Sequence, residues 1–248
     1  MKVIKSASHL PSGCAFVPTM GALHAGHGSL FAIASEKSER VIASIFVNPL
    51  QFESSDDLAK YPRTPEKDIE LAEKFGVTDL WFPEYDEIYP QSSPRLKAGS
   101  IASLYEGASR PGHFDGVVTV VRRLFDLVQP STAIFGEKDF QQLALVRTIA
   151  NEVEIIAAPI IRESDGLAMS SRNVRLSAEG RAAAPIIFRA LSTTKSEEEL
   201  RAILTSEPLF TLDYADYIDS KTFERSAQAD RAIVAGWIDG VRLIDIAP

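Results

Sequence analysis

Short apolar runs alternate with longer amphipathic segments along the first two thirds of the chain. The short runs have the length and β-branched content of buried parallel strands, whereas the longer segments repeat apolar residues every three to four positions, as helices do. The predicted strands cover residues 14–17, 41–47, 80–82, 132–135 and 155–161. The predicted helices cover residues 26–38, 64–76, 117–128 and 138–150. Strands that alternate with crossover helices predict a Rossmann-like α/β fold, in which a parallel sheet is doubly wound.

The pattern changes after about residue 164, where a loop rich in serine and arginine begins. Helices are predicted over residues 178–191 and 196–204, and short strands near residues 214–219, 232–235 and 242–246. We therefore predict two domains. A Rossmann-like domain covers residues 1–163, and a smaller C-terminal α+β domain covers residues 164–248.

The composition is that of a globular protein, with 45% hydrophobic and 24% charged residues over 248 positions. No apolar run approaches the roughly 18 residues that cross a membrane, and the N-terminal segment lacks the pattern of a signal peptide. The net charge of −8 argues against nucleic-acid binding, which favours basic surfaces. The single cysteine, Cys14, excludes an internal disulfide and a cysteine-rich metal site, and we expect a cytoplasmic protein.

Two histidines follow the first predicted strand, in the segment PTMGALHAGH that covers residues 18–27. This segment opens a predicted helix, whose free N–H groups and partial positive charge bind phosphate readily. Two imidazoles three residues apart, His24 and His27, are suited to stabilising charge that builds on a phosphoryl group. Two other interpretations stay open: a glycine-rich turn with one capping and one packing histidine, and a metal site made by both rings. The metal site lacks an evident third ligand nearby.

Polar residues also follow two further predicted strands. Asn48 and Gln51, after the second strand, are suited to binding a small polar ligand, although a plain Asn-Pro turn explains the same residues. Lys138, in the segment GEKDFQQ after the fourth strand, is a point charge suited to phosphate, and Asp139 is suited to a ribose hydroxyl or to orienting the lysine. If the helix starts at Lys138, Gln142 lies one turn farther along. The alternative is an ordinary charged helix start.

Three more segments carry residue types suited to chemistry. The segment MSSRN at residues 169–173 fits an anion clamp over phosphates, or else a solvated interdomain loop. The segment RPGHFDG at residues 110–116 favours a structural or lid role over catalysis. Asp56 and Asp57 are expected to be a solvated pair rather than Mg²⁺ ligands, and Cys14 is expected to be inert core. Sites that follow parallel strands converge on one crevice, and their joint content favours a nucleoside triphosphate without a covalent nucleophile.

Together these segments resemble the pantoate–β-alanine ligase (pantothenate synthetase) family, within the wider H-x-G-H nucleotidyltransferase superfamily. The matching segments run in family order over nearly the whole chain: VPTMGALHAGH, SIFVNPLQF, YPRT, EGASRPGHFDGV, FGEKDFQQLALVR, DGLAMSSRN and RLIDIAP. The H-x-G-H pattern alone is typical of the superfamily, whereas its combination with NPLQF, RPGHF, GEKDFQQ and SSRN is specific to this family.

The resemblance implies an ATP-dependent ligase that condenses pantoate with β-alanine through a pantoyl-adenylate, giving pantothenate, AMP and pyrophosphate. It also implies Mg²⁺, a C-terminal domain that acts as a lid, and a homodimer. Gln51 and Gln142 match the pantoate-binding glutamines of the pantoate/β-alanine site, and Gln51 also lies where β-alanine enters. Ile161 falls where the family contacts adenine through its backbone. The implied catalytic residues are His27, His24 and Lys138. The implied ATP site comprises Met20, Gly21, Ala22, Leu23, His24, Ala25, Gly26, His27, Gly136, Glu137, Lys138, Asp139, Ile161, Met169, Ser170, Ser171 and Arg172.

The sequence departs from the family pattern in and after the first motif. Ala25 stands where the family often has glutamate, and Gly28 stands where a larger residue is usual. A glycine inside the helix weakens it by about 1 kcal/mol against alanine, and we expect a looser edge of the site. The C-terminal domain is short for the family, which bears on lid closure and dimer contacts.

Two other functions stay open for experiment. One is a nucleotidyltransferase that stops after nucleotidyl transfer and needs no amine. The other is a nucleotide-binding regulator without turnover, against which the presence of His24, His27, Lys138 and Arg172 speaks.

Overall fold

The computed structural model describes residues 1–52, 55–92, 94–226 and 229–247. In this part of the chain, the larger sheet is wholly parallel, with strands in the order β1-β4-β3-β2-β5-β6. Its strands are β1 (Lys2–Ile4), β2 (Ala15–Thr19), β3 (Val41–Ile45), β4 (Asp79–Trp81), β5 (Thr132–Gly136) and β6 (Glu154–Ala158).

Helices cover both faces of this sheet, so the predicted doubly wound fold is confirmed. The α-helices before residue 150 are α1 (Ala25–Lys37), α2 (Ser55–Lys60), α3 (Pro65–Lys74), α4 (Tyr85–Ile88), α5 (Tyr105–Ser109), α6 (His113–Val128) and α7 (Phe140–Ile149). Successive side chains of a strand point to opposite faces. Phe16 of β2 therefore joins the core beneath α6 and α7, whereas Val17 joins the core beneath α1 and α3.

The chain order of the strands reverses between β2 and β5. These two strands pair only at Ala15 with Thr132 and at Phe16 with Ala133, whereas β5 and β6 pair along their whole length. Pro18, which has no N–H to donate, lies in the half of β2 that does not pair with β5. The two strands therefore separate toward their carboxyl ends, at the kind of reversal point where open α/β sheets bind ligands.

A second, antiparallel sheet lies near the end of the chain, with strands in the order β7-β8-β9. Its strands and the helices before them are α8 (Ala178–Ala183), α9 (Ile186–Thr193), α10 (Glu197–Thr205), β7 (Thr211–Ile218), β8 (Arg231–Ile238) and β9 (Val241–Ala247). These elements share a separate core that includes Ile187, Leu200 and Val234. The predicted smaller α+β unit is thus present, while the boundary between residues 163 and 164 stays a prediction.

Two ion-pair groups join the C-terminal sheet to the larger part of the molecule. Arg162, after β6, donates from both terminal nitrogens to the Asp245 carboxylate, and its guanidinium lies 4.6 Å from the centre of the Phe188 ring. Arg242 of β9 pairs with the buried Glu106 of α5. These contacts fix residues after β6 and around α5 relative to the second sheet.

The structure corrects several predicted element boundaries. The edge strand β1 is missing from the prediction, because only Ile4 of its residues is buried and the run has no apolar signature. The strand predicted over 155–161 ends at Ala158, since Pro159 follows. The helix predicted from Lys138 is preceded by a 3-10 turn, Glu137–Asp139, and α7 starts at Phe140.

The single helix predicted over residues 178–191 is two helices, because Pro185 cannot donate the hydrogen bond that would continue α8 into α9. The expected loosening at Gly28 is also wrong. A Cβ atom at Gly28 would lie 2.7 Å from the Phe75 ring, so that ring fills the space of the absent side chain.

No helix among the described residues is both long enough and apolar enough to span a membrane. Pro248, the last residue of the RLIDIAP segment, lies outside the described residues.

Candidate active site

A cleft of about 230 Å³ opens where β2 and β5 separate. A water molecule occupies about 30 Å³, so the cleft is a ligand-sized space rather than a packing void. It brings together segments that are far apart in sequence, as the motifs predict. The predicted site residues in its lining are Met20, His24, Gly26, His27, Gln51, Gly136, Lys138, Asp139, Gln142, Ile161, Met169, Ser170, Ser171 and Arg172.

The remaining predicted ATP-site positions do not line this cleft: Gly21, Ala22, Leu23, Ala25 and Glu137. Ala25 is exposed as the first residue of α1, and Glu137 is the first residue of the 3-10 turn after β5. The other three form the turn between β2 and α1, which we call the 21–23 turn. Direct contact of these positions with ATP stays a prediction.

His24 and His27 cap the helix that they introduce. Nδ1 of His24 accepts a hydrogen bond from the Gly26 amide (3.1 Å), and Nδ1 of His27 accepts one from the His24 amide (3.2 Å). Because an accepting Nδ1 carries no proton, each neutral ring carries its proton on Nε2. Both rings are thus caps, and each keeps an Nε2–H donor for a ligand. The Gly26 amide, in the first turn of this helix, is thus already bonded.

Burial lowers the pKa of His24 to about 4 and the pKa of His27 to about 3. These values include the charge of Lys138, which lowers both pKa values, and for His27 the larger contribution of His24, whose ring centre lies 4.2 Å away. Both rings are therefore neutral near pH 7. A neutral ring stabilises growing negative charge by donating a hydrogen bond, and it has no readily transferred proton.

Two cations, Lys138 and Arg172, line the same cleft as the two histidines. Lys138 has no ion-pair partner among the described residues, so its charge is available to an anionic ligand. The Arg172 guanidinium lies 5.8 Å from the centre of the Tyr61 ring and 4.0 Å from the Asp57 carboxylate. Asp57 also pairs with Arg175 at 3.1 Å, which differs from the solvated state that we expected for this carboxylate. These contacts tie the segment around Arg172 to α2.

Gln51 lies at the wall of the cleft, at the end of a 3-10 turn (Pro49–Gln51) that Asn48 caps. The side-chain amide nitrogen of Asn48 donates to Oε1 of Gln51 (2.9 Å) and to the Gly116 carbonyl (3.2 Å). The Tyr89 hydroxyl donates to Oδ1 of Asn48 (2.7 Å). Because Asn48 is buried, this network fixes the Gln51 amide from behind and leaves its NH₂ group to donate to a ligand.

A second pair of side chains fixes Gln51 through its backbone. The Gln51 carbonyl accepts from Nδ1 of His113 (2.9 Å) and from Arg110 (3.0 Å), and Arg110 lies 3.2 Å from Nε2 of His113. Nε2 of His113 is therefore the acceptor nitrogen, opposite to the tautomer of the two cleft histidines. Burial, followed by the Arg110 charge, lowers the pKa of His113 to about 3, so this ring is neutral too. The contacts agree with the structural role favoured for the RPGHFDG segment.

Several lining residues were missed by sequence reasoning. The floor of the cleft is apolar and comes from α6, through Val117, Val120, Val121 and Leu124. The sequence predicts this helix over residues 117–128, but an apolar stripe does not show where a cleft interrupts the core that it faces. Tyr61 also lines the cleft, and the YPRT segment that contains it is the signal that could have identified it.

The described residues contain no group of three or more His, Cys, Asp and Glu side chains that could hold a metal ion. The alternative of a metal site made by His24 and His27 does not fit, because Nδ1 of each ring is already bonded and no carboxylate in the described part of the chain completes the set.

The sequence profile of the pantoate-beta-alanine ligase family matches residues 2–247. The chain belongs to this family. The pantothenate synthetase of Bdellovibrio bacteriovorus is 43% identical over 235 residues, which cover 93% of this chain and 89% of that protein. The pantothenate synthetase of Gluconobacter oxydans is 44% identical over 253 residues, with 94% and 92% of the two chains covered.

Solved structures of the family show the same fold. The pantothenate synthetase of Thermus thermophilus matches with a TM-score of 0.94 and 41% identity, over 100% of this chain and 99% of that one. The pantoate-beta-alanine ligase of Francisella tularensis, described as complexed with beta-gamma ATP and beta-alanine, matches with a TM-score of 0.87 and 33% identity over 100% and 97%. Because the Thermus chain is covered almost completely, a C-terminal unit this short also occurs in a relative.

Proposed function

We propose that this chain condenses pantoate with β-alanine while cleaving ATP to AMP and pyrophosphate. One cleft combines His24, His27 and Lys138 with Gln51 and Gln142, and this combination carries the proposal. The first group is suited to phosphate oxygens, and the glutamine amides are suited to the hydroxyl groups of a small acid. The Francisella relative, described with beta-gamma ATP and beta-alanine, supports both compounds as ligands.

In the first step, a carboxylate oxygen of pantoate attacks the α-phosphorus of ATP, and the bond to pyrophosphate breaks. Negative charge grows on the phosphoryl oxygens and on the leaving pyrophosphate. The Nε2–H groups of His24 and His27 and the ammonium of Lys138 stabilise this charge. Because its ring is neutral, His27 acts as a hydrogen-bond donor here rather than as a proton donor.

In the second step, the amine of β-alanine attacks the carbonyl carbon of pantoyl-adenylate. AMP leaves with the bridging oxygen, and the new amide loses a proton to water. Gln51 orients the pantoyl group in both steps, since Asn48 holds its side chain while Arg110 and His113 hold its backbone carbonyl. The apolar floor from α6 limits the access of water to the reactive adenylate.

Residues on the far wall of the cleft close the nucleotide site. The Ile161 carbonyl accepts a hydrogen bond from the Met169 amide (3.0 Å), and we infer that the Ile161 N–H group donates to adenine. Ser170, Ser171 and Arg172 bring hydroxyl groups and a guanidinium to the same cleft, and we infer that they cover the triphosphate. The smaller C-terminal unit is proposed to act as the lid.

Mg²⁺ is proposed to arrive as part of the ATP complex. The described residues offer no cluster of metal-ligating side chains, so phosphate oxygens and water are the ligands expected for this ion. When bound, it would neutralise phosphate charge, and no residue of this chain is assigned to it.

Assembly and location are proposed on family grounds. We infer a homodimer in the cytoplasm whose partners are ATP, pantoate and β-alanine, with neither nucleic acid nor membrane among them. The net charge of −8 supports the absence of a nucleic-acid partner. Sedimentation equilibrium tests the dimer, which requires a particle of twice the 27.1 kDa chain mass.

The activity is tested by measuring AMP with ATP and Mg²⁺ present, while pantoate and β-alanine are added singly and together. We expect sustained AMP release only when both acids are present. Turnover to a stable nucleotidylated product without an amine would instead identify a nucleotidyltransferase. Binding of ATP with no turnover under any of these conditions would identify a regulator, and either result overturns the proposal.

A further inference from the structure

The 21–23 turn has a backbone conformation that needs support. Gly21 and Ala22 have φ angles of 80° and 50°, in the left-handed region that residues other than glycine rarely adopt. His24 and His27 follow directly, so the shape of this turn decides where both imidazoles lie. A residue such as Ala22 persists in this conformation only when surrounding contacts hold it there.

Asp68 of α3 holds the turn from one side. Its carboxylate accepts hydrogen bonds from the Ala22 amide (3.0 Å) and the Leu23 amide (2.7 Å), through a different oxygen for each. The Thr64 hydroxyl donates to the same carboxylate (3.0 Å), and Asp68 is only 2% exposed. A Cβ atom at Gly21 would lie 3.0 Å from the carboxylate, so the turn sits closely on it. Amide hydrogen bonds to an ionised acceptor are stronger than those to a neutral one.

Ser171 holds the same turn from the other side. Its hydroxyl donates to the Ala22 carbonyl (3.0 Å), and it belongs to the segment that lines the far wall of the cleft. Ala22 therefore has its amide bonded to Asp68 and its carbonyl bonded to Ser171. One residue in a left-handed conformation thus connects a buried carboxylate to the segment proposed to cover the triphosphate.

We propose that Asp68 is a positioning residue for ATP: it holds the 21–23 turn in the conformation that places His24 and His27 at the cleft and offers the Ala22 carbonyl to Ser171. The kinetic consequence rests on the proposed function, whereas the hydrogen bonds do not. Two amides converge on Asp68, so both of its oxygens are needed. An asparagine there has one acceptor oxygen and would turn its NH₂ group toward one of the amides.

The test compares Asp68→Asn with Asp79→Asn. Asp79, at the start of β4, is similarly buried, accepts a hydrogen bond from the Thr78 hydroxyl and does not line the cleft. We expect Asp68→Asn to lower kcat/KM for ATP about 100-fold, as misplacement of catalytic groups does, and to change KM for β-alanine by less than about twofold. Asp79→Asn is expected to leave both constants at the wild-type values.

Amide exchange reads the hydrogen bonds directly. In Asp68→Asn we expect the amides of Ala22 and Leu23 to exchange at least about tenfold faster than in the wild type, and in Asp79→Asn at the wild-type rate. Adding Ala22→Gly to Asp68→Asn is expected to restore about tenfold of the lost kcat/KM, because glycine adopts the left-handed conformation without a side-chain clash. If Asp68 had a merely structural role, Ala22→Gly would not restore kcat/KM in the Asp68→Asn variant.

A second variant covers the case in which Asp68→Asn does not fold. Ser171→Ala removes the bond to the Ala22 carbonyl together with the side-chain hydrogen bond between Ser171 and Tyr61, and we expect a higher KM for ATP and faster tryptic cleavage after Arg172. Unchanged kcat/KM in Asp68→Asn, an equal loss in Asp79→Asn, no rescue by Ala22→Gly, or unchanged values in Ser171→Ala would each overturn the proposal. If the wild type has no turnover, the proposed function fails separately, and amide exchange still decides whether Asp68 holds the turn.

Discussion

His24 and His27 each use one ring nitrogen for the fold and keep the other for chemistry. From the H-x-G-H pattern, helix capping and ligand binding are alternative roles for these histidines. The sequence does not show which ring nitrogen forms a hydrogen bond. The structure removes that conflict, since Nδ1 accepts from the backbone and Nε2 keeps the proton. The residue types were therefore predictable, whereas the tautomers and the lowered pKa values depend on burial that only the folded chain creates.

The two nitrogens of His27 can be tested separately. His27→Asn keeps an acceptor near the position of Nδ1 and removes the donor, so we expect a folded protein of wild-type thermal stability that loses about 100-fold in kcat. His27→Gln places an NH₂ group near the position of Nε2 and gives up the cap, so it should retain more activity while losing about 1 kcal/mol of stability. Equal activity in the two variants, measured as AMP release, would contradict the assignment of Nε2 as the catalytic donor.

The protonation states of the buried rings can be read by nuclear magnetic resonance. His9→Gln leaves only His24, His27 and His113, whose pKa values are lowered to about 4, about 3 and about 3. A lowered pKa keeps the neutral form stable, so the ring signals should not shift between about pH 8 and about pH 5.5, where an ordinary histidine titrates. Long-range nitrogen spectra should show the proton on Nε2 of the first two and on Nδ1 of His113. Titration with a midpoint near 6.5 would contradict this account.

At the scale of elements, apolar runs predicted the strands β2 to β6 and their crossovers, because buried parallel strands need continuous apolar sequence. The edge strand β1 was not predicted, because Lys2 and Val3 are exposed and only Ile4 is buried. The packing of α6 against the Pro49–Gln51 turn could not be predicted from the sequence either. It depends on the absence of a side chain at Gly116. A Cβ atom there would lie 2.4 Å from the Leu50 carbonyl oxygen.

Gly116→Ala should therefore displace the turn that carries Gln51. We expect KM for pantoate to rise about tenfold and the free energy of unfolding to fall by about 1–3 kcal/mol, as overpacking does. Gly180→Ala is the matched control, because a Cβ atom there would meet the Asp239 carboxylate at 2.0 Å, in the C-terminal unit. It should lower stability and leave KM for pantoate unchanged. Steady-state kinetics measures KM for pantoate, and urea unfolding measures the stability of each variant. An unchanged KM in Gly116→Ala would show that α6 does not position Gln51.

At the scale of the whole molecule, buried charges connect the two sheets across long stretches of sequence. Glu106 of α5, with 7% exposure, accepts from Arg242 of β9 and from the Tyr214 hydroxyl of β7. Arg110, whose Nη1 lies 3.8 Å from Glu106, bonds the Gln51 carbonyl. Glu106 and Arg110 belong to one motif, EGASRPGHFDGV, whereas Gln51 and Arg242 belong to two others. No local pattern shows that these three motifs meet, because their pairing depends on tertiary packing.

Removing Arg242, one of the two cations near Glu106, tests how much this group contributes to stability. Arg242→Ala leaves the Glu106 carboxylate buried without its main partner, and we expect about 3–5 kcal/mol less stability in urea unfolding. Glu106→Gln in the same chain should recover part of that loss, since a neutral amide is cheaper to bury. The surface pair of Arg231 and Asp230 is the control, and Arg231→Ala should cost less than about 1 kcal/mol. Similar losses in the two arginine variants would contradict a buried network.

The proposed reaction requires a carboxylate oxygen of pantoate to attack the α-phosphorus of ATP before β-alanine displaces AMP. The most direct measurement uses pantoate labelled with ¹⁸O in its carboxylate, and follows the label by mass spectrometry of the products. We predict one ¹⁸O atom in AMP, none in pyrophosphate, and pyrophosphate release from pantoate and ATP even before β-alanine is added. AMP without label, or label in a phosphate or pyrophosphate product, would contradict the account.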